Sequence, residues 1–190
     1  MEKRERNCGD GVPEEFNDLV RQYRDRVYNQ AYRLLGNHED AEEAAQDVFL
    51  KVHDSLKSFR GESAVFTWIY RITVNTCMNR LRKKQLHPVS LDSQFEEGGT
   101  VGEKTGDGGL NPLEIASARE IAELVDRKVR QLPPMMAAVI SLYHFDGLSY
   151  EEISDIMRIN ENTVATYLHR GRQMLAREIL KIMPEEFLRP

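Results

Sequence analysis

The chain has 190 residues, of which 41% are hydrophobic and 30% charged, and its formal net charge at pH 7 is −5. No apolar run approaches the roughly 20 residues that span a bilayer, and the charged N-terminus lacks the apolar segment of a secretory signal, so we expect a cytoplasmic protein. Cys8 and Cys77 form no CxxC pair, which argues against a disulfide framework or a zinc site. We expect no metal and no other cofactor.

The first two predicted helices follow a tail, residues 1–13, that is expected to be disordered or flexible. From Phe16 to Leu34 apolar residues recur at steps of three and four, the period of one helix face. Gly36 ends this helix, and Asn37 with Asp40 can cap the next one. The second helix carries an apolar stripe, namely Ala41, Ala44, Ala45, Val48, Phe49 and Val52.

Charge is divided sharply between the second and third helices. Residues 39–54 contain six acidic residues and one basic residue, a net charge of −5, whereas residues 60–84 contain six basic residues and one acidic residue, a net charge of +5. Local clustering decides what a surface binds more than the total charge does. The two stretches therefore predict two surfaces with different partners.

The third helix has two different faces at 100° per residue. It follows a short loop in which Ser63 is the candidate N-cap, and it runs to about Lys84. Its predicted buried side consists of Phe66, Tyr70, Val74, Cys77 and Leu81. Its predicted exposed stripe consists of Arg71, Asn75, Asn79 and Arg82, with Trp68 at the edge.

This exposed stripe is a candidate DNA-binding surface. Amides can read base edges, arginines can hold phosphates, and an aromatic ring can stack on an unpaired base, as contact with opened DNA requires. The alternative is a solvated face with a chance ladder of amides. The clustered positive charge favours DNA.

Composition changes again between residues 86 and 117, which contain six of the twelve glycines and carry a net charge of −5. Such a segment buries too little apolar surface to offset its ordering entropy. We therefore predict an all-α protein with two small helical domains, residues 14–85 and 113–190, joined by a flexible acidic linker at 86–112.

The second half is predicted to begin with two further helices. Asn111-Pro112-Leu113-Glu114 is typical of a helix start, and Pro133-Pro134 begins the next helix. The residues expected to face inward are Ile121, Leu124, Val125, Val129 and Leu132 in the first, and Met136, Val139, Ile140 and Tyr143 in the second.

A helix-turn-helix is predicted near the C-terminus. Ser149 and Glu152 form a capping box for a helix that ends near Met157, and Asn160 can cap a second helix after a short turn. Val164, Leu168, Gly171 and Leu175 share one face of the second helix. Its opposite face carries Asn162, Thr166, His169 and Gln173, flanked by Arg170, Arg172 and Arg177. This polar, arginine-edged face suits a DNA major groove, although an ordinary amphipathic helix is the alternative.

Catalytic motifs are missing from the sequence: it contains no phosphate-binding GxxxxGK[ST] loop, no HExxH and no GxSxG. We therefore expect a binding protein and not an enzyme. A stand-alone helix-turn-helix regulator is one hypothesis. A DNA-processing enzyme would need a nucleophile and clustered acids that we cannot find.

The segments together resemble an extracytoplasmic-function (ECF) sigma factor of the sigma70 family. The resemblance covers about residues 14–84 and 113–182. It depends on the acidic helix at 40–52, on Phe59-Arg-Gly-Glu-Ser63 followed by residues 66–79, and on Asp146-Gly-Leu-Ser-Tyr-Glu-Glu-Ile153 followed by residues 162–172.

The resemblance implies three sets of contacts. Polymerase core would be bound through Asp40, Glu43, Gln46, Asp47 and Phe49, with the clamp helices of the largest subunit and the flap of the second largest as partners. The −10 element would be bound by Phe59, Arg60, Ser63, Trp68, Arg71, Asn75, Asn79, Arg82 and Lys83. The −35 element would be bound by Asn162, Thr166, His169, Arg170, Arg172 and Gln173.

The resemblance also implies an anti-sigma factor as a regulatory partner, and a linker that threads through the polymerase toward the RNA exit path. One departure concerns the second helix of the helix-turn-helix. Many relatives have Lys or Arg just after the Thr-Val pair and again two residues later, where this chain has Ala165 and Tyr167. Its −35 sequence therefore cannot be inferred from better-known members.

Overall fold

The computed structural model describes residues 14–59, 61, 63–86 and 112–181, and every regular element in these ranges is a helix. The helices are α1 (Glu14–Leu35), α2 (His38–Leu56), α3 (Val65–Leu86), α4 (Pro112–Arg130), α5 (Pro134–His144), α6 (Tyr150–Met157) and α7 (Glu161–Leu180). The predicted all-α class is confirmed. The predictions for the N-terminal tail, Arg60, Asn111 and nearly all of the linker lie outside the described residues.

The turn between α1 and α2 forms as the sequence predicts. Gly36 has a φ of +85°, a left-handed conformation that glycine adopts without steric cost, and α1 ends there. The Asn37 side chain then accepts a hydrogen bond of 2.8 Å from the backbone N–H of Asp40. This bond satisfies one of the free donors of the first turn of α2.

The start of α3 differs from the prediction by one residue. The carbonyl of Ala64 accepts the first helical hydrogen bond, from the N–H of Trp68 at 3.1 Å. Ala64 is therefore the residue at the N-cap, and Ser63 lies too early to cap the helix. The prediction that Ser63 caps α3 was wrong, because short loops contain no periodicity that locates a boundary to one residue.

Helix α3 is buried on two sides. Tyr70, Val74 and Cys77 are buried as predicted, whereas Phe66 and Leu81 are only half-buried. A second buried row, Thr67, Ile69, Thr73 and Thr76, was not predicted. Ile69 joins Tyr23, Val27, Val48 and Val52 in a core shared by α1, α2 and α3.

Helix α5 lies at the centre of the C-terminal half, which comprises α4–α7. Six consecutive residues from Ala137 to Leu142 are buried, so this helix is covered on all sides. Val129 at the end of α4 and Leu132 just after that helix pack into the same core. Ile121 was predicted to face inward but is 61% exposed, because it lies one turn before the part of α4 that packs against the core.

The helix-turn-helix is confirmed as α6, a turn and α7. Ser149 and Glu152 form both bonds of the capping box, and Asn160 caps α7 through the N–H of Thr163. Arg158, in the turn, adopts the left-handed conformation. A Cβ at Gly171 would lie 3.0 Å from Cγ1 of Ile140, so this glycine allows α7 to approach α5 closely.

The two halves are in contact with each other. Helix α3 packs against α5 and α6, and α1 packs against α4 and α5. One hydrophobic cluster contains residues from both halves, including Tyr70 and Cys77 on one side and Ile140 and Ile153 on the other. None of the helices in the described ranges is both long enough and apolar enough to span a membrane.

Candidate nucleic-acid and protein interfaces

The predicted amide-arginine stripe of α3 faces solvent over most of its length. Asn75, Asn79, Arg82 and Lys83 are exposed. The guanidinium of Arg82 donates a hydrogen bond of 2.9 Å to Oδ1 of Asn79. Because this bond uses the amide oxygen as the acceptor, the NH₂ group of Asn79 takes no part in it.

An aromatic pair lies at the N-terminal end of this stripe. The rings of Phe59 and Trp68 are stacked with their centroids 4.6 Å apart, and both side chains are half-buried. Ser63 is half-buried in the loop between them, while Arg60 is outside the described residues. The loop and α3 thus form a surface with flat rings at one end and amides at the other.

Arg71 differs from the rest of the stripe. Its Nε and Nη2 atoms donate hydrogen bonds of 3.2 and 2.9 Å to the backbone carbonyl of Asp155, in the last turn of α6. Free carbonyls at the end of a helix carry partial negative charge and attract a guanidinium. In this structure the Arg71 side chain therefore binds the helix-turn-helix.

The acidic face of α2 and the basic end of α3 bind each other. Arg80 donates to Glu43 at 2.9 Å and to Asp47 at 2.5 Å, and Lys84 pairs with Asp40. The predicted separation of the two charged stretches into independent surfaces is therefore only partly correct. Neighbouring helices with opposite charge lie side by side and neutralise part of each other's field.

The pKa values of two paired groups reflect these contacts. Burial tends to raise the pKa of Asp40, but hydrogen bonds from Lys84 and Asn37 outweigh it and lower the pKa overall. Burial likewise opposes the charged form of Arg80, and its bonds to Asp47 and Glu43 raise the pKa of the guanidinium nonetheless. Both groups are charged at neutral pH.

The outer face of α2 combines polar and apolar groups. Gln46 is exposed, and so is Leu50, which is 64% exposed. Phe49, predicted to bind a partner, is half-buried and packs against the α1–α3 core, so it has a packing role in this structure. The sequence analysis did not name Leu50, which lies outside the apolar stripe of α2 and is exposed beside Gln46.

The predicted reading face of α7 is open. Asn162, Thr166, His169, Arg170 and Gln173 are all exposed. The Thr166 hydroxyl donates to the carbonyl of Asn162 at 2.8 Å, which leaves its methyl group and its lone pairs available. One helix face therefore presents amides, a hydroxyl, an imidazole and a guanidinium to solvent.

Arg172 has partners within the protein. Its Nε atom donates to Nε2 of His144 at 3.1 Å, and its guanidinium lies 5.0 Å from the centroid of the Tyr143 ring. Burial and the charge of Arg172 lower the pKa of His144, which favours the neutral ring that accepts this bond. The side chain is thus directed toward α5.

Within the described ranges, no group of His, Cys, Asp and Glu side chains is arranged to hold a metal ion.

Two family models match the chain. Sigma-70 region 2 matches residues 19–87, which include the α3 stripe and the α2 face, and Sigma-70 region 4 matches residues 122–175, which include the helix-turn-helix. The region 2 match argues against a stand-alone helix-turn-helix regulator, because such a regulator does not need this half.

Characterised relatives match over nearly the whole chain. The ECF RNA polymerase sigma factor SigW of Bacillus subtilis is 33% identical over 94% of this chain and 96% of its own length. The ECF RNA polymerase sigma-E factor of Escherichia coli is 34% identical over 89% of this chain and 88% of its own.

Solved structures agree with the fold. The sigma factor RpoE of Bartonella quintana, in complex with the anti-sigma factor NepR, superposes with a TM-score of 0.66 at 22% identity, covering 90% of this chain and 99% of its own. CnrH in complex with the cytosolic domain of CnrY gives a TM-score of 0.59 at 19% identity, covering 86% of each chain. The helical architecture, the two matched regions and the full-length relatives together show that the chain belongs to the ECF sigma factors of the sigma-70 family.

Proposed function

We propose that three exposed surfaces of this sigma factor each bind a different partner during transcription initiation. The outer face of α2 binds the clamp helices of the polymerase's largest subunit, the α3 stripe binds the opened −10 element, and α7 binds the −35 element. The observation that carries the proposal is that Gln46 and Leu50 on α2 and Asn75 and Asn79 on α3 are exposed on adjacent helices of one half. Polymerase and single-stranded DNA can therefore be held side by side.

The face of α2 suits a protein partner. A leucine that is 64% exposed gains free energy when a partner covers it, and the carboxylates around it can pair with basic side chains. Glu43 and Asp47 retain side-chain exposures of 60% and 44% beside Arg80, so each can accept a further hydrogen bond. We include Leu50 in the docking surface for this reason.

The α3 surface suits unpaired bases. The amides of Asn75 and Asn79 can donate to and accept from a base edge, and the Phe59–Trp68 pair offers a ring against which a base can stack. Arg82 and Lys83 lie on the same exposed side and can hold the phosphates. Together these groups support recognition of a melted strand.

The C-terminal half supports a second DNA contact and a second polymerase contact. The open face of α7 can enter a major groove, in which amides and arginines discriminate base pairs. Exposed apolar side chains, Ile121 in α4 and Met174 and Leu180 in α7, offer a surface to the flap of the second-largest subunit. The chain itself is a binding protein without catalytic activity.

Reconstitution with core polymerase tests the assignment of the surfaces. Asn79→Ala should reduce promoter opening, measured by permanganate reactivity of the −10 strand, by about fivefold or more, because one base-reading amide contributes about 1–3 kcal/mol. Its affinity for core should stay unchanged. Asn17→Ala, an exposed asparagine on α1, is the matched control and should alter neither quantity.

Charge reversal on α2 should reduce affinity for core polymerase directly, whereas Asn79→Ala should leave that affinity unchanged. Asp47→Arg should weaken association with core first, whereas Asp54→Arg, a reversal at the exposed end of the same helix, should weaken it much less. If the chain failed to bind core and instead bound an operator tightly by itself, the proposed function would be wrong.

Regulation and location follow from the same assignment. We propose an anti-sigma factor as a regulatory partner, as in the solved complexes of RpoE with NepR and of CnrH with CnrY. We also propose that the protein acts in the cytoplasm, where polymerase and promoter DNA are found.

A further inference from the structure

Arg172 lies beside the reading face of α7, but in this structure its side chain points elsewhere. At 100° per residue its Cα lies about 60° around the helix from that of His169, an angle that a long arginine side chain can cover. Its Nε atom instead donates a hydrogen bond of 3.1 Å to Nε2 of His144, the last residue of α5, and its guanidinium lies over the Tyr143 ring. The charge of Arg172 is therefore directed away from the surface that we assign to DNA.

The contact between Arg172 and His144 lies at the protein surface. Both residues are exposed, whereas Tyr143 is half-buried and its ring meets that of Tyr150 edge to face, with the centroids 5.5 Å apart. An exposed hydrogen bond between side chains contributes little net free energy, because water competes for both groups. Arg172 can therefore exchange this partner for a DNA phosphate, to which a guanidinium binds through stronger, charge-assisted hydrogen bonds.

His144 can hold Arg172 only while its ring is neutral. The bond requires Nε2 to be the accepting nitrogen, so the proton of the neutral ring is on Nδ1. A protonated imidazole donates from both nitrogens and repels a guanidinium. Burial and the charge of Arg172 lower the pKa of His144 below its ordinary value, so the ring is neutral at neutral pH and gains its charge only as the pH falls further.

The groups around His144 determine what its titration changes. Arg172 contacts it from α7, and the ring of Tyr143 lies edge-on beside it, with the centroids 5.0 Å apart. Titratable groups elsewhere on the helices that pack against α5 have partners of their own: Tyr150 of α6 packs on Tyr143, Arg33 of α1 and Tyr70 of α3 contact Asp146, and Lys128 of α4 pairs with Glu178 of α7. Arg172 is thus the charged group whose hydrogen bond depends on the protonation of His144.

We propose that His144 is a positioning residue, which holds Arg172 away from DNA while its ring is neutral and releases it to a phosphate once the ring is protonated. The proposal rests on the proposed function, because it takes α7 as the helix that enters the major groove. It concerns the strength of the DNA contact and not the base sequence, since a phosphate contact carries no sequence information. DNA binding by α7 thereby becomes coupled to a proton.

The salt dependence of binding to a mixed-sequence DNA duplex, measured with the full-length chain, reports the release of Arg172. His144→Ala removes the acceptor, so at neutral pH it should steepen the slope of log affinity against log salt by about 0.9, the value for one more phosphate contact. Between about 50 and 200 mM salt its affinity should therefore fall about 3.5-fold further than that of the wild-type chain. His144→Gln, whose amide oxygen can accept the same bond, should keep the wild-type slope.

A double variant identifies the cation that is released. Adding Arg172→Ala to His144→Ala should abolish the gain in slope, because no guanidinium is then left to bind the additional phosphate. A gain that persists without Arg172 would overturn the proposal.

Acid should have the same effect on a chain that retains His144. His169 is exposed on the reading face and also gains charge in acid, so this series is carried out in chains that contain His169→Gln. From neutral pH to about pH 5.5 the slope should steepen by about 0.9 when His144 is present. With His144→Gln added, the slope should stay nearly constant over the same range.

Nuclear magnetic resonance of the free full-length chain tests the contact without DNA. The Nε–H resonance of Arg172 should shift with the same pH midpoint as the ring nitrogens of His144. Different midpoints, or equal slopes for wild type and His144→Ala in chains that are folded by circular dichroism, would overturn the proposal. If the wild-type chain did not bind the duplex, or if Arg170→Ala did not weaken binding, the role proposed for α7 would be wrong instead, and the resonance titration would still decide whether His144 holds Arg172.

Discussion

Two arginines of α7 illustrate how packing partners decide what a residue contributes. Arg170 is exposed on the reading face, whereas Arg172 donates to His144 and lies against the Tyr143 ring. The helical wheel places both beside the same polar face, so periodicity alone does not distinguish them. Their local environments in the folded chain do.

We therefore expect different losses at the two positions. Arg170→Ala should weaken binding of a −35 duplex for all sequences and reduce the slope of log affinity against log salt by about one, as loss of one phosphate contact does. Arg172→Ala should leave that slope nearly unchanged and lower the free energy of unfolding by about 0.5–1 kcal/mol, the contribution of an exposed cation–π contact.

Salt titration by fluorescence anisotropy measures the slopes, and urea unfolding measures stability. An equal reduction of the slope in both variants would show that Arg172 leaves Tyr143 and binds phosphate. Arg177→Ala, an exposed arginine near the end of α7, serves as the control for loss of charge far from the start of the helix.

At the scale of helices, the elements themselves follow from local signals. The Gly36 stop, the Asn37 and Asn160 caps, the capping box of Ser149 and the Pro134 start are all encoded within four residues, and all of them form. The exposed asparagines of α3 also follow from its period.

What could not be predicted depends on which helix packs against which. The second buried side of α3, with Ile69 and Thr73, requires knowledge that α1 and α2 cover one side while the C-terminal half covers another. The exposure of Ile121 depends on how much of the length of α4 is covered by α1, α5 and α7. The engagement of Arg71 requires a contact 84 residues away, which no local pattern contains.

The pairing of α2 with α3 gives a prediction at this scale. Arg80 binds Glu43 and Asp47, which are four residues apart on α2, and its own side chain is 22% exposed. Arg80→Ala leaves two like charges side by side, and it should lower the free energy of unfolding by about 1 kcal/mol, discounted for the exposure of both carboxylates. Arg80→Lys should recover part of this loss.

Urea unfolding at low and high salt provides the measurement. About 1 M salt screens exposed charges within a few ångströms, so the difference between Arg80→Ala and wild type should shrink there. A difference that is independent of salt would mean that Arg80 stabilises the helices by packing of its aliphatic part instead. Arg82→Ala, on the exposed stripe, should change stability by less than about 0.5 kcal/mol.

At the scale of the whole molecule, the two halves on either side of the linker share one hydrophobic core. Composition predicts two small domains joined by a flexible acidic linker, and one hydrophobic cluster includes Val74 and Cys77 from α3 together with Leu142 and Ile156 from the C-terminal half. The buried thiol of Cys77, whose pKa burial raises to about 12, lies within this shared core. The two descriptions predict different unfolding behaviour.

Because the core is shared, we expect the free chain to unfold in a single cooperative transition. Scanning calorimetry should give equal calorimetric and van't Hoff enthalpies, whereas independent domains would give two transitions or a ratio well above one. Tyr70→Phe should lower this cooperativity, because it removes the hydrogen bond from the Tyr70 hydroxyl to Asp146, which joins the halves, and leaves the aromatic ring in the core. Phe145→Leu is a second variant for this comparison, because it removes the ring beneath Arg33 and keeps the ion pair of Arg33 with Asp146. Two well-separated transitions in the wild-type chain would mean that the contact between the halves is too weak to couple them, and that each half reaches its promoter element without having to part from the other.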